Sequence, residues 1–198
     1  MDALTPPAPM EPDQRPALRA LQPAVWRLQG QRRQLRAEAR ALLKELVAGY
    51  LGTSSDNTLL HFVPGQAPFV DARWQGLRLS ISISYSQDLA LIALCPGARI
   101  GIDVTETAPM PDWAAVARSY LGPAVLARLA SADGAARDTA FALAWAELEA
   151  RGKCLGLGLQ EWSAERHARL HAPAIEVISS ALEGFAIALA RNANRTQL

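Results

Sequence analysis

The strongest constraint on this chain is a series of three apolar runs with almost nothing between them. Leu77, Leu79, Ile81 and Ile83 alternate with Arg78, Ser80, Ser82 and Ser84, the pattern of a half-buried strand. Leu89 to Cys95 follows across a short polar turn, and Ile100-Gly101-Ile102-Asp103-Val104 comes after Pro96-Gly97. Parallel strands need a crossover of about a dozen residues, and neither gap has room for one. The spacing predicts an antiparallel meander inside a β region over 58–104.

Helical signals flank this region. From Gln31 to Tyr50, residues Leu35, Ala39, Leu42, Leu43, Leu46, Val47 and Tyr50 form one apolar stripe, ended by Leu51-Gly52. Arg32, Arg33, Arg36, Arg40 and Lys44 surround the stripe and read mostly as a solvated face. Two short helices are predicted over 112–131, broken near Gly122-Pro123, and a longer one over 138–155. In the long helix Phe141, Ala144, Trp145, Leu148, Gly152 and Leu155 are expected toward the core, with Gly156 and Gly158 stopping it. Two β-like runs, 174–179 and 185–190, close the chain around a turn at Glu183-Gly184.

The fold class is therefore α+β, in two similar halves, each a small antiparallel sheet packed with a long helix. The halves read as 24–98 and 99–198. Residues 1–23 hold six of the 13 prolines and read as an unstructured leader. Half the residues are hydrophobic and the formal net charge is +1, which excludes wholesale disorder and any global pull toward nucleic acid or anionic lipid. No apolar run is long enough to span a bilayer, no secretory signal is visible, and two cysteines make no disulfide framework. A cytoplasmic protein is expected.

Two segments carry chemistry. One is the strand end Gly101-Ile102-Asp103-Val104-Thr105-Glu106; the other is the helix segment 145–156 with Glu149 and Lys153. Spaced four apart, Glu149 and Lys153 share a helix face, and spacing alone favours an ordinary surface ion pair. Asp103 by itself reads as a turn or cap residue. Together, Asp103 and Glu149 would offer the all-oxygen, water-rich site that Mg²⁺ favours. His167 and His171 read as surface histidines, and Cys154 as a small buried residue.

The strings "IGIDVTET" and "FALAWAELEARGKCLGLG", in that order, resemble the paired motifs of the 4′-phosphopantetheinyl transferase superfamily. Upstream, "SISYS" (82–86), "GQAP" (65–68) and "ARALLKELVAGYLG" (39–52) are similar to its serine–histidine strand, its glycine–lysine–proline turn and its arginine-bearing helix. The resemblance covers about residues 31–190. It implies transfer of the phosphopantetheine arm of coenzyme A to a serine of an acyl or peptidyl carrier protein, with release of 3′,5′-ADP. It further implies the fused two-half, monomeric type, with the coenzyme A side in 24–98 and the metal and catalytic side in 99–198. By position, Asp103 and Glu149 would hold Mg²⁺, and Glu149 or a water beside it would act as base. Lys153 would contact the pyrophosphate, Arg40 the 3′-phosphate, and Ser84 and Tyr85 a phosphate oxygen. Trp145 is expected to pack.

Four positions depart from the family pattern. Thr105 stands where the fused type has a second acid, with Glu106 beside it; Tyr85 replaces histidine; Leu148 and Gln66 replace lysines. Up to three positive charges are lost around a polyanionic ligand, so weaker coenzyme A binding than the family norm is expected. The alternative is a degenerate member that binds carrier protein or coenzyme A without turnover.

Overall fold

The computed structural model describes residues 23–63, 66–74 and 76–192. Apart from Pro23, the expected leader lies outside the described residues, as does Gly65 of the "GQAP" turn. Helix α1 (Arg32–Leu51) buries Leu35, Ala39, Leu43, Leu46 and Val47, the stripe the periodicity predicts. Gly52 ends it in the left-handed conformation, φ 67°, which costs a Cβ-free residue nothing.

Strands β1 (Ala24–Gln29), β4 (Arg73–Trp74), β5 (Leu77–Tyr85) and β6 (Leu89–Pro96) form one antiparallel sheet in the order β1-β6-β5-β4. Two-residue strands β2 (Leu60–His61) and β3 (Phe69–Val70) pair separately. A second antiparallel sheet has the order β7-β9-β8, from β7 (Arg99–Glu106), β8 (Ile175–Leu182) and β9 (Phe185–Asn192). The last two meet at a tight turn where Glu183 and Gly184 have φ 53° and 83°, the primed geometry that suits a two-residue hairpin.

One sequence expectation is corrected here. The third apolar run does not complete a meander: β7 pairs with β9, over 80 residues later, not with β6. Its other edge faces β5, whose Ser80, Ser82 and Ser84 hydroxyls accept from the N–H groups of Ile100 (3.1 Å), Ile102 (3.0 Å) and Val104 (3.2 Å). A row of side-chain hydroxyls thus satisfies an edge that backbone pairing leaves open. The alternating serines that read as a solvent face in fact bind the two sheets together.

The result is four layers. Helix α1 packs on Leu79, Ile81, Ala90, Ile92 and Leu94. The other face of β6, Leu89, Leu91, Ala93 and Cys95, meets Ile100, Ile102 and Val104 of β7 with Ile187 and Leu189 of β9. β6 is therefore buried on both faces, which explains a run without alternation. Helix α4 (Gly134–Leu155) covers the far side of the second sheet, its Ala142, Ala146, Ala150 and Cys154 lying against Ala186, Ala188 and Ala190. The residues expected in the core, including Phe141, Ala144 and Leu148, face α2 (Trp113–Val116), the π-helical turn after it and α3 (Pro123–Ala130). α4 begins one turn earlier than the sequence suggests and is buried on two sides. The final helix, α5 (Ala164–Leu170), starts at a Ser163 cap that accepts from Arg166 N–H at 3.1 Å. No helix among the described residues is long and apolar enough to cross a membrane.

Candidate active site

The site is set by how closely α4 approaches β7. A Cβ on Gly101 would lie 2.5 Å from Cys154 N and nearer still to Ala150 O. Only glycine allows this contact, and it brings Lys153 to the edge of β7 that faces β5. There the Lys153 ammonium donates to Asp103 Oδ1 (2.7 Å), Ser84 Oγ (3.1 Å) and the Ile102 carbonyl (3.1 Å). Its three donors have three acceptors. The ion pair expected between Lys153 and Glu149 is replaced by one between Lys153 and Asp103.

Asp103 is buried, at 6% exposure. Beyond Lys153 it accepts from Ser84 Oγ (2.8 Å) and, at Oδ2, from Thr105 Oγ1 (3.0 Å). Thr105, where an acid was the family expectation, is thus a donor that orients Asp103. Ser84 gives its one proton to Asp103 and accepts from Val104 N–H and Lys153. In this arrangement its hydroxyl is fully engaged, which differs from the free phosphate donor the motif suggests.

Glu149 lies one turn before Lys153 on α4 and is half-buried. Burial pushes its carboxyl above the usual carboxylate range, and the negative charge of Asp103 adds to the rise; Lys153 and Arg166 oppose it. No described side chain donates a hydrogen bond to it. Arg166 was not singled out from the sequence. It is buried, and its guanidinium donates to Gln160 Oε1 (3.0 Å) and Gly158 O (2.8 Å), holding the loop after α4 near Glu149. Its place depends on a loop-to-helix fold that periodicity does not reveal.

Glu106 does not join this cluster. Its carboxylate accepts from Ser86 Oγ (2.7 Å), Gln87 Nε2 (2.9 Å) and Gln87 N–H (3.3 Å), tying β7 to the β5–β6 turn. Leu148 is buried among Leu121, Leu129 and Leu170, so that position on α4 serves packing. Trp145 stacks with Phe141 and meets Tyr120 edge-on. His167 and His171 are exposed and stacked on each other.

On the α1 side, Arg40 lies over the Phe62 ring at 4.8 Å and Arg36 over the Tyr85 ring at 5.1 Å. Burial raises the Tyr85 phenol above its ordinary value while Arg40 and Arg36 pull it down; it is neutral at pH 7. Tyr85 therefore brings a ring and a hydroxyl but no charge.

Among the described residues no group of three or more His, Cys, Asp or Glu side chains could hold a metal. The acidic pair Asp103 and Glu149 is nonetheless an oxygen-only donor set whose two negative charges act on each other. That fits Mg²⁺, which takes one or two carboxylates and keeps several waters.

Known proteins bear on this arrangement. Residues 99–197, half of the chain, match the family model of the 4′-phosphopantetheinyl transferase superfamily. Over 120 residues, 61% of its length, the chain is 28% identical to the 4′-phosphopantetheinyl transferase HetI of Nostoc sp. (strain PCC 7120). It spans about half, 51%, of that protein's length. The chain belongs to the 4′-phosphopantetheinyl transferase superfamily.

Proposed function

We propose that this protein transfers the phosphopantetheine arm of coenzyme A to a serine of an acyl or peptidyl carrier protein, releasing 3′,5′-ADP. The observation that carries the reading is the meeting of Lys153, Asp103 and Ser84, from three separate segments, with Glu149 one turn away. A pure scaffold has no need to bury an acid and set a second beside it. In this reading 24–98 is the coenzyme A side and 99–198 the metal and catalytic side, completed within one chain.

Asp103 and Glu149 would hold Mg²⁺, which when bound neutralises charge growing on the pyrophosphate. The chain's own groups do the rest. Thr105 and Ser84 fix the Asp103 carboxylate, so it does not reorient during reaction. Glu149, without a donor of its own, takes the proton of the carrier serine directly or through water. Lys153 moves from Asp103 to a pyrophosphate oxygen, exchanging one anionic partner for another. Arg40, exposed and braced on Phe62, presents its planar fork to the 3′-phosphate.

The test is to mix the protein with coenzyme A, Mg²⁺ and an apo carrier protein and to look for the mass gain of the phosphopantetheine arm on the carrier. The second reading is a member that binds without turnover. It is favoured by Lys153, whose three donors are already engaged, and by Leu148 and Tyr85, which bring no charge. Coenzyme A binding with no mass gain on any carrier would select it.

A further inference from the structure

We propose that Arg36 is a second phosphate-binding guanidinium of this protein, braced by the face of Tyr85 and directed to the pyrophosphate of the ligand. The proposal rests on the transfer reading above and adds a residue that no motif in the sequence marks.

Arg36 and Arg40 stand four apart on α1, so their like charges are neighbours and repel. Among the described residues no carboxylate forms an ion pair with either. Each instead lies over a ring, Arg36 on Tyr85 and Arg40 on Phe62. A guanidinium lying on a ring keeps its N–H donors free for a bidentate partner, and phosphate matches that fork. Two exposed, unneutralised and braced guanidiniums one turn apart are an arrangement that a polyanion relieves.

The two arginines face different places. Arg36 lines a cavity of about 250 Å³ with Leu35, Tyr85, Ser86, Gln87 and Glu106. That cavity lies at the end of β7, three residues beyond Asp103. Arg40 is not among its lining residues. Both positive charges act on the Tyr85 hydroxyl. An extended ligand with a pyrophosphate near Asp103 and a monophosphate farther along α1 would meet Arg36 first and Arg40 second. Glu106 also faces the cavity, and its oxygens are taken by Ser86 and Gln87. Its remaining charge makes the Arg36 cation more necessary for an anion to enter.

The experiment is titration calorimetry in magnesium buffer with coenzyme A, dephospho-coenzyme A and inorganic pyrophosphate. The proteins are the unmodified chain and the Arg36→Gln, Arg40→Gln, Tyr85→Phe and Tyr85→Leu variants. Loss of a charge-assisted bond predicts that Arg36→Gln binds all three ligands about tenfold or more weakly. Arg40→Gln should weaken coenzyme A alone, because only that ligand carries the 3′-phosphate. Tyr85→Phe keeps the ring under Arg36 and should weaken pyrophosphate clearly less than Arg36→Gln does, whereas Tyr85→Leu should behave like Arg36→Gln. If Arg36→Gln loses its thermal transition, the two Tyr85 variants decide. Undiminished pyrophosphate binding by folded Arg36→Gln overturns the Arg36 assignment and leaves the transfer reading intact. Pyrophosphate binding that needs Arg36, with no binding of coenzyme A, keeps Arg36 and removes the coenzyme A reading. Binding of neither ligand by the unmodified chain removes both.

Discussion

At the residue scale, Glu149 sets function against stability. Its folded-state pKa is raised by burial and by Asp103. A carboxyl with a raised folded pKa destabilises the native state once ionised; the penalty is absent below the unfolded value and complete above the folded one. At pH 7, above the unfolded value, the protein bears this penalty. Glu149→Gln should therefore raise Tm at pH 7, with the gain fading by about pH 4, where both states are largely protonated. The same variant should lower transfer about a hundredfold or more, the range for a lost general base. Scanning calorimetry at the two pH values and a carrier mass assay check the pair of effects. A fall in Tm at pH 7 would show that Glu149 is structurally supported, not strained. Asp103 and Glu149 were legible as candidates only through the motifs they sit in, since spacing alone read them as a turn residue and half of a surface ion pair. The Lys153–Asp103 pair was not, because spacing along one helix says nothing about a strand 50 residues away.

At the scale of elements, two contacts hold β7 in place. One is the close approach at Gly101. Gly101→Ala would force α4 away from β7, at about 1–3 kcal/mol for overpacking a filled core. It should also abolish transfer, since Lys153 would no longer reach Asp103; urea unfolding and the carrier assay read the two consequences. The other contact is the serine row of β5. Ser82→Ala would leave the buried Ile102 N–H without an acceptor, at about 1–3 kcal/mol. Ser80 sits at the half-buried rim, where water can replace it, so Ser80→Ala should cost less; equal losses in urea would contradict this account of the row. The pattern of β5 itself was plain from alternation. Its partner across the serines was not, because a polar strand face looks the same whether it meets water or another strand's edge.

For the molecule as a whole, the reading places every site group on one chain. Ser84 and Tyr85 come from the first sheet, Asp103 from the second, Glu149 and Lys153 from α4, and Arg36 and Arg40 from α1. We expect sedimentation of a monomer at concentrations where transfer is measured. A dimer that loses activity on dilution would mean that a second copy completes the site. Chelation of Mg²⁺ should stop transfer and leave the thermal transition in place, because the described clusters that hold the fold are apolar and separate from the two acids.

What the sequence determined by itself was local: the α1 stripe, the alternation of β5, the apolar run of β6, the glycine stops and the final hairpin. Each follows from periodicity or turn chemistry within a few residues. The small edge strand β1 and the alanine stripe of α4 escaped it, the first for want of length and the second because alanine is compatible with either surface or core. Tertiary structure alone decided that β7 joins β9 and that the serines of β5 bridge two sheets. It also decided that Lys153 pairs with Asp103, and that Arg36 and Arg40 rest on aromatic rings. Those outcomes depend on contacts between segments far apart in the chain, where the geometry of approach, down to a missing Cβ at Gly101, selects one partner among several of equal chemical promise.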